Sequence, residues 1–254
     1  MIEVKGLSYS YFKEKPVLED LSFTVQKGEV VNILGPNGCG KSTLIRLMLG
    51  FLKAKNGSIF IEGENIKSIK RKRLASMLSY VPQHHAGLFD FKALDVVLMG
   101  RASMSPWHGY TKADYKIAQE ALERIGMGHL AKRSYLQLSG GERQLVLVAR
   151  SLAQKADYFI MDEPVSGLDY GNQFLLLQTV KDLVNEGLTV ILSTHHPEHA
   201  IFLGGRALLI KNGKIMADGA PETIITTKCI CHLYDMPREY AEKFDIHFAR
   251  RKGA

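Results

Sequence analysis

The sequence has little cysteine and no long hydrophobic run. Its 254 residues include three cysteines, too few for a disulfide framework, which is typical of a protein from a reducing compartment. No stretch approaches the ~20 consecutive apolar residues that span a bilayer. The N-terminus lacks a basic region followed by an apolar one, so we expect no signal peptide and a cytoplasmic protein.

The charge balance is mildly basic, with 33 Lys and Arg against 26 Asp and Glu and a net charge of +7. This excess suits an anionic ligand or an anionic membrane surface, and it is also common in proteins that bind neither. The run Lys70-Arg71-Lys72-Arg73 contains no aromatic residue, which favours a solvated helix start over a nucleic-acid patch. We therefore expect no nucleic-acid partner.

Hydrophobic periodicity predicts an α/β fold. Strand patterns cover residues 2–7, 17–25, 29–34, 58–61, 79–81, 158–161 and 189–192, and helical patterns cover residues 42–51 and 172–184. Asn56-Gly57 is predicted as a turn, and Asn212-Gly213 as the turn of a hairpin. The alternation of strands and helices implies a parallel sheet flanked by helices.

The helical patterns between residues 89 and 156 differ from the rest of the chain. Thr111 with Asp114 is a helix-start signature, and Ser139 opens another helix. We therefore predict one domain, 1–254, whose core comprises residues 1–88 and 157–254. The core includes an N-terminal antiparallel β subdomain, and residues 89–156 form an inserted α-helical subdomain.

A glycine-rich turn lies between a strand and a helix and fits the P-loop pattern. Its sequence is Gly35-Pro36-Asn37-Gly38-Cys39-Gly40-Lys41-Ser42-Thr43. Glycines let backbone N–H groups approach phosphate oxygens closely, and the helix start adds a positive dipole end. We expect the nucleotide to contact Gly35, Asn37, Gly38, Cys39, Gly40, Lys41, Ser42 and Thr43. Lys41 would reach the β- and γ-phosphates of ATP, and Ser42 would ligate Mg²⁺. A glycine-rich turn without a ligand is the alternative, and the Lys-Ser-Thr sequence disfavours it.

Two adjacent carboxylates end the apolar run Tyr158 to Met161. Asp162 would hold Mg²⁺ in the manner of a Walker B aspartate, and Glu163 would act as the general base for the attacking water. The alternative is an ordinary strand end followed by an acidic turn. The P-loop pattern favours the catalytic interpretation.

The segment Leu138-Ser139-Gly140-Gly141-Glu142-Arg143-Gln144 can be interpreted in two ways. Ser139 and Glu142 form a capping-box pattern, which is a structural explanation. That explanation does not account for Gly140 and Gly141, because consecutive glycines destabilise a helix start. Bare backbone for close approach of phosphate accounts for both. Here the chain resembles the ATP-binding-cassette (ABC) ATPases, whose signature is Leu-Ser-Gly-Gly-Gln, with Glu142 in place of the commonest glutamine.

The resemblance extends over nearly the whole chain and implies further site residues. Tyr11, with Tyr9 as a nearby alternative, matches the aromatic residue that stacks on adenine. Gln83 matches the glutamine that senses the γ-phosphate, and it is expected both in catalysis and, with Ser42 and Asp162, near Mg²⁺. The segment Ser166-Gly167-Leu168-Asp169 matches the D-loop, and His195 matches the switch histidine that contacts the γ-phosphate. His196 stands where many relatives carry Asp.

The resemblance also implies partners. In this family the signature of one subunit closes over the ATP of the other, which implies a head-to-tail homodimer. Residues 93–101 resemble the ATPases of importers for iron-siderophore, haem, cobalamin and molybdate. We therefore expect integral membrane permease subunits, an indirect solute-binding protein and a place on the inner face of the cell membrane. An exporter ATPase and a non-transport ABC ATPase remain the alternatives.

Two segments carry potential ligands for a second metal. Cys229-Ile230-Cys231-His232 has no second ligand pair at the usual zinc spacing. In His195-His196-Pro197-Glu198-His199, Pro197 is expected to keep the first two histidines off the helix face of His199. We therefore predict no metal at either segment.

Overall fold

The computed structural model describes residues 1–12, 16–83, 90–104 and 109–243. The chain divides into two compact units. The phosphate-loop unit comprises Met1–Ile69 and Ile191–Ala254, and the signature unit comprises Lys70–Val190. The predicted boundary between residues 88 and 89 lies outside the described residues. Within the described ranges, no helix combines the length and the apolar character needed to cross a bilayer.

Strands and helices alternate along most of the chain. In chain order they are β1 Ile2–Tyr9, β2 Leu18–Val25, β3 Val30–Leu34, α1 Lys41–Met48, β4 Asn56–Ile61, β5 Glu64–Asn65, α2 Arg71–Met77, β6 Leu78–Val81, α3 Ala93–Leu98, α4 Lys112–Arg124, α5 Gly140–Ala153, β7 Tyr158–Asp162, α6 Tyr170–Asn185, β8 Thr189–Thr194, α7 Pro197–Leu203, β9 Arg206–Lys211, β10 Lys214–Gly219, α8 Pro221–Ile224, α9 Thr227–Leu233 and α10 Arg238–Lys243. Short 3₁₀ turns cover Met99–Arg101, Gly128–Leu130 and Tyr135–Gln137.

The N-terminal part of the phosphate-loop unit is an antiparallel sheet of order β2-β1-β4-β5, as predicted. The prediction of a turn at Asn56-Gly57 is wrong, because β4 begins at Asn56. The pairing of β1 with β4 is irregular between Lys5 and Ser8. Gly57 has φ +81°, and a Cβ there would lie 2.4 Å from the carbonyl oxygen of Gly6. The glycine therefore serves a close contact between two strands.

A second sheet in this unit has the order β10-β9-β3-β8, with residues 191–194 of β8 in the unit. β3 is buried throughout and runs parallel to β9. The predicted hairpin at Asn212-Gly213 is confirmed, since β9 and β10 pair antiparallel on either side of it. One apolar cluster packs β3 and β9 against the C-terminal helices; it comprises Leu34, Ala200, Ala207, Leu209, Ile225, Ile230 and Leu233.

The signature unit contains a parallel pair, β6 and β7, and a group of helices. β7 is buried at every position, as its apolar run predicts. Helices α3, α4 and α5 pack against one another. Thr111 caps α4 and accepts the backbone N–H of Asp114, which confirms the helix-start signature. Residues 70–73 are exposed around the start of α2.

Candidate functional site

The phosphate loop connects the buried strand β3 to helix α1. Gly35 is buried, and a Cβ at this position would lie 2.3 Å from the carbonyl oxygen of Ile210 in β9. Lys41 is only 4% exposed, and its Nζ donates to the carbonyl oxygens of Gly35 and Pro36 at 2.8 and 3.2 Å. A cationic side chain thus lies against the loop's own backbone. An anion that entered the loop could replace those carbonyl oxygens as the acceptor.

The rest of the loop alternates between exposed and buried positions. Asn37 and Gly38 are exposed, and Cys39 and Gly40 are buried. Gly40 occupies the N-cap position of α1 and has no side chain with which to cap it. Gly40 therefore offers no side-chain acceptor to the first backbone N–H groups of α1. This is the arrangement in which a helix N-terminus accepts a phosphate.

An aromatic ring lies beside this loop. The Tyr11 hydroxyl lies 3.3 Å from Oγ1 of the buried Thr43, and the Tyr11 ring is 46% exposed. The rings of Tyr9 and Tyr11 meet edge to face with centroids 5.0 Å apart. Tyr11, rather than Tyr9, therefore has a direct contact with the loop and a free aromatic surface.

His195 follows the buried strand β8 in the same unit. Its backbone carbonyl accepts a 2.7 Å hydrogen bond from the Tyr234 hydroxyl, and the backbone N–H of His196 donates to Thr194 Oγ1 at 3.0 Å. These contacts fix the backbone on both sides of the His195 side chain. Sequence inspection missed Tyr234, because nothing local connects it to a residue so far along the chain.

His196 lies outside the helix that contains His199, as expected, yet the rings of these two histidines lie close together. Pro197 is the first residue of α7 and His196 is its N-cap, so His196 does lie outside the helix. Even so, the ring centroids of His196 and His199 are only 4.6 Å apart. The N-cap residue and the third helical residue project to the same side of a helix start, as in a capping box.

The predicted Mg²⁺ ligand Asp162 is the last residue of β7 in the signature unit, and the predicted general base Glu163 follows it. Asp162 is buried, and Glu163 is 6% exposed with φ +45°, a left-handed conformation that is uncommon outside glycine. Gln83 Nε2 donates to Glu163 Oε2 at 3.1 Å, which connects two predicted site residues that are distant in sequence. Strained backbone of this kind costs ~1–3 kcal/mol and is concentrated at functional sites. The arrangement presents a carboxylate that is fixed in direction.

The signature segment begins helix α5 with a complete capping box. Ser139 Oγ accepts the backbone N–H of Glu142 at 3.2 Å, and Glu142 Oε2 accepts the backbone N–H of Ser139 at 2.7 Å. That second bond is the main reason that the pKa of Glu142 is lowered. Gly140 is exposed, and a Cβ there would meet no atom of the described residues within 4 Å, whereas one at Gly141 would lie 3.3 Å from Leu168 Cδ2. The cap explains Ser139 and Glu142 and leaves Gly140 unexplained.

Two further contacts complete the signature unit. Asp169 caps α6, with its Oδ1 accepting the backbone N–H of Asn172 at 2.9 Å. Gln144, inside the signature segment, donates from Nε2 to the carbonyl oxygen of Pro82 at 3.2 Å. It therefore joins the signature helix to the segment that carries Gln83. The sequence alone predicted no role for Gln144, although this residue belongs to the signature segment.

Comparison with known proteins gives consistent matches. The ABC transporter family model matches residues 18–166. The chain is 34% identical over 254 residues to the molybdate import ATP-binding protein MolC of Haemophilus influenzae, covering 97% of this chain and 95% of that protein. It is similar in structure to a metal-chelate type ABC transporter in an inward-facing conformation, with a TM-score of 0.81, 32% identity, and 93% and 89% of the two chains covered. It is also similar to a dimeric bacterial ABC transporter cassette, with a TM-score of 0.78, 27% identity, and 87% and 99% covered.

Proposed function

Because the chain belongs to the ABC transporter family and is an ATP-binding, ATP-hydrolysing subunit, we propose that it powers import of a metal chelate or oxyanion through a separate membrane permease. Iron-siderophore, haem, cobalamin and molybdate are the candidate solutes. The similarity to a molybdate import protein and to a metal-chelate type transporter supports this choice.

The conformation and the contacts of Glu163 are the main support for the catalytic part of the proposal. Its carboxylate is buried, its backbone is left-handed, and Gln83 donates to one of its oxygens. A buried carboxylate held in this way is positioned to accept a water proton, which is the task of a general base. Gln83 would orient the carboxylate and sense the γ-phosphate.

The other predicted residues receive roles that their positions support. The loop residues Gly35, Asn37, Gly38, Cys39, Gly40, Lys41 and Thr43 would bind the phosphates, and Tyr11 would stack on adenine. Ser42, Gln83 and Asp162 offer hydroxyl, amide and carboxylate oxygens, a donor set that suits Mg²⁺. When bound, Mg²⁺ neutralises charge on the β- and γ-phosphates. His195 would contact the γ-phosphate.

We propose further that two copies assemble head to tail, with Ser139, Gly140, Gly141 and Asp169 of one copy closing the ATP site of the other. Support comes from Gly140, which is exposed and at which an added Cβ would meet no atom of the described residues within 4 Å. The similarity to a dimeric cassette is consistent with this assembly. Residues 89–156 would form the helical subdomain. The permease would hold the dimer on the inner face of the membrane. A solute-binding protein would act on the permease and therefore only indirectly on this chain.

Replacing Glu163 by Gln tests the catalytic assignment. ATP binding should remain, because the side-chain size and the contact with Gln83 are kept, while hydrolysis should slow by about 10²–10⁴-fold. Steady-state phosphate release and calorimetric ATP affinity measure the two effects. Glu123→Gln, an exposed change in α4, is the matched control and should leave both unchanged. Turnover of the Glu163 variant within about threefold of wild type would refute the assignment.

The transport part of the proposal needs the permease. Proteoliposomes that contain the chain with its co-purified permease should take up molybdate or an iron chelate only when ATP is supplied to the ATPase side. Glu163→Gln should abolish this uptake. ATP-dependent efflux of these solutes, with no uptake, would contradict import and leave the ATPase assignment standing.

A further inference from the structure

Three side chains at the start of α7 bring potential metal ligands together. One ligand atom from each of His196, Glu198 and His199 lies within 4.8 Å of the others. Nδ1 of His196 is 3.1 Å from Oε1 of Glu198. Two ligands of a tetrahedral Zn²⁺ ion lie about 3.3 Å apart, given metal–ligand bonds of about 2.0–2.1 Å. The His196–Glu198 separation is close to that value, and the ligand atom of His199 lies within 4.8 Å of both.

The local backbone fixes this cluster. His196 is the N-cap of α7 in an extended conformation, and its N–H is held by Thr194. Pro197 begins the helix with a restricted φ, and the backbone N–H of His199 returns to the carbonyl oxygen of His196 at 3.2 Å. The three ligand-bearing residues therefore belong to one rigid turn.

The His199 ring carries a buried nitrogen that a metal ion could bind. The residue is 7% exposed, and its Nδ1 is buried with no hydrogen-bond partner among the described residues. Imidazole nitrogen is a common ligand of transition metals. His196 and Glu198 are accessible from solvent, which gives an ion a route in.

The donor set selects a class of ion. Two imidazole nitrogens and one carboxylate oxygen suit Zn²⁺ and neighbouring first-row ions, whereas Mg²⁺ and Ca²⁺ prefer oxygen ligands throughout. Three protein ligands leave a position for water. We propose that His196, Glu198 and His199 form a binding site for a divalent first-row transition metal, with Zn²⁺ the best-suited ion.

None of His196, Glu198 and His199 is among the residues assigned to MgATP. Occupancy of this site would nevertheless have a consequence nearby, since the ring centroids of His195 and His196 are 4.1 Å apart. A metal on His196 would restrain the segment that carries the proposed switch histidine. Binding itself does not depend on the proposed function, so the two can fail independently.

Cobalt titration tests the site without any activity measurement. Untagged, nucleotide-free full chain is titrated with Co²⁺, and the visible absorption of tetrahedral Co²⁺ should appear, saturate and be displaced by Zn²⁺. Glu198→Gln and His199→Gln should each weaken Co²⁺ binding by about 100-fold, since even outer-shell changes cost 10–100-fold. Glu198 is exposed, so its variant reports on the site even if the buried His199 variant folds poorly.

His232→Gln is the matched control, because it removes the histidine beside the cysteine pair Cys229 and Cys231. It should leave the absorption and the affinity unchanged. The proposal is overturned if the wild type gives no tetrahedral spectrum, if Glu198→Gln binds Co²⁺ as tightly as wild type, or if only His232→Gln loses binding.

Discussion

The phosphate loop, residues 35–43, and the signature segment, residues 138–144, both place glycines beside the start of a helix, yet the surroundings of those glycines differ. Gly35 is enclosed, and any Cβ would collide with a backbone carbonyl of β9. Gly140 is exposed, and within the described part of the chain a Cβ there would meet no atom closer than 4 Å. The phosphate-loop helix has Gly40 as its N-cap. The signature helix has Ser139 as its N-cap, and Glu142 completes the capping box.

This difference separates two reasons for a glycine. At Gly35 the fold alone requires the absence of a side chain, so the residue would be needed even without a ligand. At Gly140 the fold makes no such demand, and Ala would be the better helix former by about 1 kcal/mol. A measured requirement for glycine at this position would therefore support the proposed contact with another copy.

The largest expected effect is on ATP-dependent dimerisation, and it tests the signature segment. A Glu163→Gln protein should dimerise when ATP is added, because it binds without hydrolysing. Adding Gly140→Glu should abolish that dimerisation, since a carboxylate would then face phosphate across the interface. Sedimentation of both proteins with and without ATP measures it. Equal dimerisation would show that the signature is only a capped helix start, and the composite site would be dropped.

The next effect tests the phosphate-loop side. Lys41→Ala should weaken ATP binding by about 100-fold, because a charged group that can donate to phosphates is lost. Lys53→Ala, an exposed lysine of the same unit, should change the affinity little. Isothermal calorimetry on the two variants separates a specific contact from net charge. An unchanged affinity for Lys41→Ala would refute the P-loop assignment.

A paired substitution measures the comparison directly. Gly35→Ala should lower the free energy of unfolding by about 1–3 kcal/mol, the usual cost of overpacking, while Gly140→Ala should leave it unchanged or raise it by up to about 1 kcal/mol. Urea denaturation of both variants provides the numbers. A loss of stability at Gly140 as large as that at Gly35 would mean that the two glycines serve the same structural purpose.

The smallest effect concerns the signature cap. The folded-state pKa of Glu142 is lowered, so its carboxylate stabilises the fold above the unfolded pKa of about 4.3, and that contribution is lost as the pH falls through the folded pKa. Glu142→Gln should therefore be less stable than wild type at pH 7, and the difference should shrink towards pH 3. Denaturation at several pH values checks it. A pH-independent difference would mean that the charge plays no part in the cap.

Local patterns predicted local structure well. The capped starts of α4 and α5 and the hairpin at Asn212-Gly213 depend on residues within a few positions of one another, so the sequence contains the whole signal. The turn predicted at Asn56-Gly57 failed for the opposite reason. What decides the conformation of Gly57 is the approach of β1, and that neighbour is not visible in the local sequence.

In the candidate site, too, the local motifs could be predicted from the sequence and the long-range contacts could not. Its motifs were visible as short segments, because phosphate binding needs adjacent backbone groups. The contacts that organise them were not visible: Gln83 with Glu163, Tyr11 with Thr43 and Gln144 with Pro82 each join distant parts of the chain. The roles of these residues in hydrolysis stay predictions until the variants above are made.

The contact between Gly35 and Ile210 has a consequence for genetics. A side-chain obstacle such as Cys39 Sγ, 2.7 Å from a Cβ at position 35, can be removed by a second mutation, but the nearest obstacle is a backbone carbonyl, which every amino acid carries. Intragenic suppressors of Gly35→Ala should therefore be rare among simple substitutions at position 210. They should instead be changes that displace the β9–β10 hairpin as a whole, such as insertions or deletions around Asn212-Gly213. In lineages that diverge from this chain, the glycine and the course of that hairpin should be retained or lost together.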